Sequence, residues 1–278
     1  MKKILLFSTI AFSSIFFACS SDDNSPKTEE DSSQPKKRVV VAVLDSEGTV
    51  LNAQTANANT TKDYVMAGSG YQHRVLIEDF TGAWCGWCPR VTFSIEELAK
   101  TNNDKIVAVA LHNQDKFAFT PHENNLYVAT ANKIGVDISK GRSFPFATLN
   151  RVQQWNGGTN TMNANQVLAL TKESSPIGIK ISSELGDTSG KINVSLKFNE
   201  SYKDLKYVVY VVEDNLILAQ ENYTTNYGGK GKKKDFVHND VAKAVNNVLG
   251  ENVTNSSSGA EFTSGDINVT YKKFENAK

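Results

Sequence analysis

The stretch Arg74–Arg90, RVLIEDFTGAWCGWCPR, constrains this chain more than any other. Val75–Phe80 is a short apolar run closed by Thr81-Gly82, which predicts a buried strand. Beyond Cys-Gly-Trp-Cys, the segment Val91–Lys100 (VTFSIEELAK) sets Val91, Ile95 and Leu98 four and three residues apart, one face of a helix. Cys85 and Cys88 therefore sit where a strand hands over to a helix N-terminus. Unpaired N–H groups and the helix dipole favour negative charge there, so a thiolate is stabilised and its pKa falls. At this spacing the two sulfurs can close a small disulfide, and the first is the more exposed in such a loop. Redox exchange, a plain structural disulfide and half of a zinc site are all open. Zinc needs four ligands and the chain has no second cysteine pair, so that reading has only Cys85, Cys88 and His112 to offer. Pro89 fits best if Cys88 caps the helix and Pro89 is its first residue.

The pattern Asp79-Phe80-x-x-x-Trp84-Cys85-Gly86-x-Cys88 resembles the active-site segment of the thioredoxin superfamily, over about Gln72–Glu173. The longer string LIEDFTGAWCGWCPR, in a chain laid out as a lipoprotein, resembles the 28-kilodalton outer-membrane-protein-related family of Bacteroidetes-type bacteria. The resemblance implies a thioredoxin-like α/β domain and thiol–disulfide exchange on extracytoplasmic protein thiols and disulfides, with no cofactor and no metal. By position it implies Cys85 as attacking thiolate and Cys88 as resolving thiol. Asp79 matches the buried carboxylate that exchanges a proton with the resolving thiol. A carboxylate in an apolar strand has a raised pKa, which suits a proton shuttle. The alternative is that strand alternation turns Asp79 to solvent and Glu78 inward. Trp84 would be an aromatic wall beside the disulfide, or simply a core residue. Gly86-Trp87 matches neither the Gly-Pro of reducing members nor the x-His of strong oxidants, so the redox direction stays open.

Gly141–Asn150 (GRSFPFATLN) sets a proline before a short apolar strand and resembles the superfamily's cis-proline loop. That implies a loop facing the cysteines, with the backbone of Phe144 offered to an extended substrate. Trp84, Trp87, Phe144 and Pro145 are then the candidate substrate-contacting residues. A trans proline opening an edge strand is the alternative.

The front of the chain reads as targeting sequence. Lys2 and Lys3 precede an apolar stretch, Ile4–Phe17, too short for a comfortable membrane span and right for a signal peptide. It ends Phe16-Phe17-Ala18-Cys19, which resembles a lipobox and makes Cys19 the expected lipidation site. Lipidation would leave Cys85 and Cys88 as the remaining thiols of three. Ser20–Arg38 lacks any large apolar residue and reads as a flexible tether. Ser20 points to an outer-membrane destination on either its periplasmic or its surface face. With 30 basic and 30 acidic residues, nothing global suggests nucleic acid.

The expected organisation is a signal peptide (1–18), a lipidated cysteine and tether (19–38), an N-terminal β extension (39–71), a thioredoxin-like domain (72–173) and a β-rich domain (174–278). Strands are expected at Val39–Leu44, Thr49–Leu51 and Lys105–His112, with loop over Asn52–Ser69. Helices are expected at Pro121–Lys133, Asn160–Lys172 and Asn239–Leu249. From Ser174 the periodicity becomes two, as in Ile177, Ile179 and Ile181, which predicts an antiparallel sandwich-like sheet. The fold class expected is thus a thioredoxin-like α/β domain followed by an antiparallel β-rich domain. Gly228–Lys234 (GGKGKKK) is either a solvated loop or a site for a polyanion or anionic lipid. Two functions from different classes follow: a membrane-anchored thiol–disulfide oxidoreductase, or a surface binding lipoprotein whose disulfide is structural.

Overall fold

Two runs of the chain, Val39–Leu44 and Tyr207–Val212, are apolar at every position, and a strand of that kind must be covered on both faces. The computed structural model, which describes residues 36–276, pairs these two runs side by side in antiparallel register, Val39 opposite Val211 and Val43 opposite Tyr207. Their odd-numbered residues face one core and their even-numbered residues another.

The chain opens with β1 (Lys36–Leu44) and β2 (Val50–Asn57), then three two-residue strands, β3 (Thr61–Lys62), β4 (Met66–Ala67) and β5 (Gly70–Tyr71). Next come β6 (Val75–Thr81), α1 (Pro89–Asn102), β7 (Ile106–His112), α2 (His122–Lys133), β8 (Phe146–Leu149), β9 (Gln153–Gln154) and α3 (Ala164–Leu168). Strands follow: β10 (Ile177–Leu185), β11 (Ser189–Phe198), β12 (Lys206–Asp214), β13 (Leu216–Ile217) and β14 (Val237–His238). The last are β15 (Val241–Val245), β16 (Glu251–Asn252), β17 (Glu261–Thr263) and β18 (Ile267–Thr270). Among the described residues no helix is long and apolar enough to cross a membrane.

A nine-stranded mixed sheet runs β2-β1-β12-β15-β7-β6-β8-β9, with β16 also on β12. β6 and β7 are parallel, as are β7 and β15; the other pairs are antiparallel. A five-stranded sheet, β17-β11-β10-β3 with β18 also on β11, packs against β1 and β12 through Ile179, Ile181, Val194 and Leu196. On the opposite face of β1 and β12 lies a second core, shared with β6, β7 and the buried face of α2 (Leu126, Tyr127, Ala131). The third core lies under α1, where Val91 and Leu98 meet Val75, Ile77 and Ala108.

This corrects the expectation of an α/β thioredoxin-like domain followed by a separate antiparallel β domain. The large sheet takes strands from before residue 72 and from beyond residue 173, and β12 and β15 stand between β1 and β7. The cause is the doubly apolar run of β12, which a one-sided sandwich sheet would leave half uncovered. The helix expected over Asn239–Leu249 is also corrected. Ala and Val in Val241–Val245 tolerate either state, and the site between β12 and β7 selects a strand, with Lys243 at its register shift. The expected helix at Asn160–Lys172 shrinks to α3, capped by Asn163 through the N–H of Asn165. β2 continues to Asn57, where loop was expected.

A buried ion pair fixes β6 in this sheet. Arg151 donates from Nε and Nη2 to the Glu78 carboxylate, at 2.9 and 2.6 Å, from Nη2 to Tyr210 Oη and from Nη1 to the Val248 carbonyl. Glu78 also accepts from Tyr210 Oη at 2.9 Å, so β6 and β12 are joined across the two strands between them. Asn150 and Arg151 both adopt left-handed backbone. That turn lets the Asn150 side chain accept the Leu76 N–H. Removing one partner of a buried pair leaves the other charge uncompensated, so Arg151→Ala is expected to cost about 3–5 kcal/mol. Glu78→Leu combined with Arg151→Met should recover part of that loss. Urea denaturation of the three proteins checks this; equal losses in the single and double variants would contradict it.

Candidate functional site

The strand-to-helix junction forms as the spacing requires. β6 ends at Thr81, Cys88 is the N-cap of α1 and Pro89 is its first residue. Proline is tolerated there because that position has no intrahelical donor to lose. Cys85 and Cys88 are joined in a disulfide, with Cα atoms 5.4 Å apart. The loop is closed by the Cys85 N–H to the Gly82 carbonyl and the Cys88 N–H to the Cys85 carbonyl.

The expected exposure of Cys85 is not found. Cys85 is 4 % exposed and Cys88 1 %, so the difference between them is small. A segment far along the chain, Gln220–Tyr223, which no periodic signal in the sequence marks, is bonded along the loop. The Glu221 N–H donates to the Ala83 carbonyl and the Tyr223 N–H to the Gly86 carbonyl, at 2.9 and 2.7 Å. Gln220 Nε2 donates to the carbonyls of Cys85 and Gly82. The strap is held in turn by a two-way backbone bridge between Gln220 and Lys233. Buried Asn222 pins the following loop, donating to the carbonyls of Asn226 and Gly229.

Gly86 is required by close approach. A Cβ built on it would lie 2.4 Å from the Tyr223 ring. Trp87 packs edge-on to that same ring, centroids 5.7 Å apart. On the other flank Trp84 donates Nε1–H to the Asn113 carbonyl and packs edge-on to Phe144 at 5.4 Å. The Phe144–Pro145 bond is cis, as is Thr120–Pro121. Of the candidate substrate-contacting residues, Trp84, Phe144 and Pro145 therefore gather on one flank, and Trp87 turns to the strap. Cys19 lies outside the described residues.

Polar groups brace the loop from below. Asp115 accepts the Ala83 N–H at 2.8 Å and His112 Nδ1 at 2.7 Å on one oxygen, and the Phe117 N–H on the other. Burial pushes the Asp115 carboxyl up, but His112 and the two backbone donors outweigh it and hold the pKa below the usual range. His112 is thus a buried brace. Nothing in the sequence marked Asp115 beforehand. With both sulfurs bonded to each other, neither is a thiolate ligand for a metal.

Asp79 and Glu78 are both buried, so neither side of the alternation points to solvent. Asp79 shares the α1 side of β6 with Val75 and Ile77, and its Oδ1 has no hydrogen-bond partner among the described residues. Burial, and then the nearby Asp240 carboxylate, raise its pKa well above the ordinary value.

A mixed β-sheet protein with one strapped, buried disulfide loop at a strand-to-helix junction is the class these features define. The family profile described as outer membrane protein Omp28 matches residues 137–277, just over half of the chain, and the chain belongs to that family. The matched span includes the Phe144–Pro145 loop and the strap; Cys85 and Cys88 lie outside it. No curated protein sequence matches the chain. Among solved structures, HBP35 of Porphyromonas gingivalis is similar at a TM-score of 0.48 and 17 % identity, covering 74 % of this chain and 66 % of its own. The chain thus spans just under two thirds of that protein's matched structure. Protein AGR_C_4864 from Agrobacterium tumefaciens gives a TM-score of 0.42 and 16 % identity, with 73 % and 80 % covered.

Two outcomes test this geometry. Gly86→Ala drives a methyl into the Tyr223 ring, so it should destabilise by about 1–3 kcal/mol and speed reduction of the disulfide by dithiothreitol. An unchanged reduction rate would mean the strap is no cover. Asp79 supplies a pH signature. Its folded pKa is raised, so its contribution to stability is full below the unfolded value of about 3.9 and declines as pH rises towards the folded value. Asp79→Asn should remove that decline, raising stability at pH 8 relative to wild type more than at pH 4. Melting curves at both pH values decide it; parallel pH profiles would refute a protonated, buried Asp79.

Proposed function

We propose that this outer-membrane family member is a cell-envelope binding lipoprotein, tethered through lipid on Cys19, whose Cys85–Cys88 disulfide is structural. The observation that supports it is the burial of both sulfurs in a loop bonded to a second segment. A disulfide exchanges only when a thiolate reaches one sulfur in line with the bond, so access governs the rate as strongly as thiol pKa does. Here the Gln220–Tyr223 strap holds the carbonyls of Ala83, Cys85 and Gly86, and both sulfurs are buried. The disulfide then acts as a staple, fixing the loop that displays Trp84 and Trp87 at the end of β6.

The experiment compares Cys85→Ala with Cys88→Ala in the full chain. Loss of a four-residue disulfide loop should cost about 2 kcal/mol in either variant by the chain-entropy relation. For a chain of this size that is a fall of roughly 4–8 °C in Tm. Neither variant should accumulate mixed disulfides with envelope proteins, and the wild-type pair should have a reduction potential below about −300 mV. Mixed disulfides trapped on Cys85 in Cys88→Ala would establish the oxidoreductase reading instead.

A further inference from the structure

The smaller sheet ends on an open edge at β18. Just past its pairing with β11, Tyr271 donates its N–H to the Thr188 carbonyl. Main-chain groups of a strand alternate between its two sides, so those of Ile267 and Val269 also point towards β11. The N–H and C=O of Asn268 and Thr270 then point away from it, and they meet no partner among the described residues. An edge of this kind is a template for one more strand. Beside it lies a cavity of about 520 Å³, bordered by Ile267–Lys272, by Lys243–Asn246 of β15, and by Ala118, Phe119, Thr120 and His122. Among the described residues no strand fills that gap. β15 pairs with β7 only at Val241 and Ala110, and it has no ladder with β18.

The two faces of an added strand would meet different surroundings. Ile267 and Val269 pack against the core between the two sheets, and Ala244 belongs to the same core. Asn268, Thr270 and Lys272 are exposed. Side chains on one face of a sheet pack against their cross-strand neighbours, so the inner face calls for apolar residues. The outer face is set by charge. None of the residues lining the cavity is acidic, and two of them are lysines. Lys243 is buried and paired with Glu213. Asp187, the other carboxylate acting on Tyr271, is paired with Lys273. Lys272 makes no ion pair among the described residues, and neither does Lys37, whose Nζ lies 5.8 Å from the centroid of the Tyr271 ring. The side of the edge that faces water is therefore positive, and it suits acidic residues at alternate positions.

We propose that β18 is a docking edge for an extended peptide of alternating apolar and acidic residues. The main chain of Asn268 and Thr270 would pair with it, and Lys272 would face its carboxylates. The inference rests on the binding-lipoprotein reading and names a partner class for it. A fluorescein-labelled hexapeptide of alternating valine and glutamate, titrated into the full chain and followed by anisotropy, tests it. Saturable binding is expected at low salt. A copy with lysine for glutamate, and a copy N-methylated at every residue, should each bind roughly tenfold more weakly, the second through lost main-chain hydrogen bonds. Thr270→Pro removes an N–H that serves only the open edge, so it should abolish binding with the circular dichroism spectrum unchanged. Lys272→Glu, on exposed surface, should weaken binding roughly fivefold at low salt and little at high salt. No binding, equal binding of either altered peptide, or an unchanged affinity in Lys272→Glu overturns the proposal. A full chain that sediments as a dimer and turns monomeric in Thr270→Pro also overturns it, since a second copy would then occupy the edge. If the titration fails while the cysteine variants trap no partner, the structural-disulfide reading stands and only the docking edge falls. If those variants do trap partners, that reading falls, whatever the titration gives.

Discussion

The buried Glu78–Arg151 pair is the interaction on which the arrangement turns. It sits in the middle of β6, the strand that delivers the disulfide loop, and reaches Tyr210 on β12 and the Val248 carbonyl. Two charges out of water are costly, and only complete satisfaction of their hydrogen bonds offsets that cost. Here the satisfaction needs three separate parts of the chain at once: the left-handed turn at Asn150–Arg151, a phenol from β12 and a carbonyl beyond β15. The pair is therefore a registry device as much as a source of stability. A β6 shifted by one residue would present to Arg151 either Ile77, which has no acceptor, or Asp79, whose carboxylate is one methylene shorter than that of Glu78.

That dependence explains why part of the fold was legible and part was not. The strand–Cys loop–helix junction is legible because every signal for it is local; the sequence leaves open whether the helix starts at Cys85 or after Cys88, and the structure caps it with Cys88. β7 and α2 were legible for the same reason. The assembly of β1, β12 and β15 into the sheet of β6 was not, since pairing partners lie more than 160 residues apart in β1 and β12. The runs VVVAVL and YVVYVV did carry a clue: being apolar on both faces, they demand interior places in a sheet covered on both sides. VAKAV in β15 carried none, because alanine and valine at that spacing fit a helix stripe as well as a strand, and burial between neighbours decided it.

The candidate site divides in the same way. The resemblance singles out Cys85, Cys88, Trp84 and the Phe144–Pro145 loop, and the structure sets Phe144 against Trp84. Asp115 and the Gln220–Tyr223 strap were missed because they act through backbone groups. A strap that bonds to carbonyls needs no particular side-chain pattern, so sequence periodicity cannot reveal it. Gly86 is where the contact demands a particular residue, since the Tyr223 ring occupies the space of its absent Cβ.

A cysteine pair at a helix N-terminus has the local ingredients for reactivity: a favourable dipole, unpaired N–H groups and a short loop. Local ingredients set the stability of a thiolate once it exists; they do not set whether a partner thiol can reach the bond. In this chain both sulfurs are buried, and a segment about 135 residues downstream of Cys85 is bonded to their loop. Its hydrogen bonds to the loop carbonyls use the backbone of Glu221 and Tyr223 and the amide of Gln220. Because these bonds use main chain and one amide, the rings of Trp84, Trp87 and Tyr223 stay exposed.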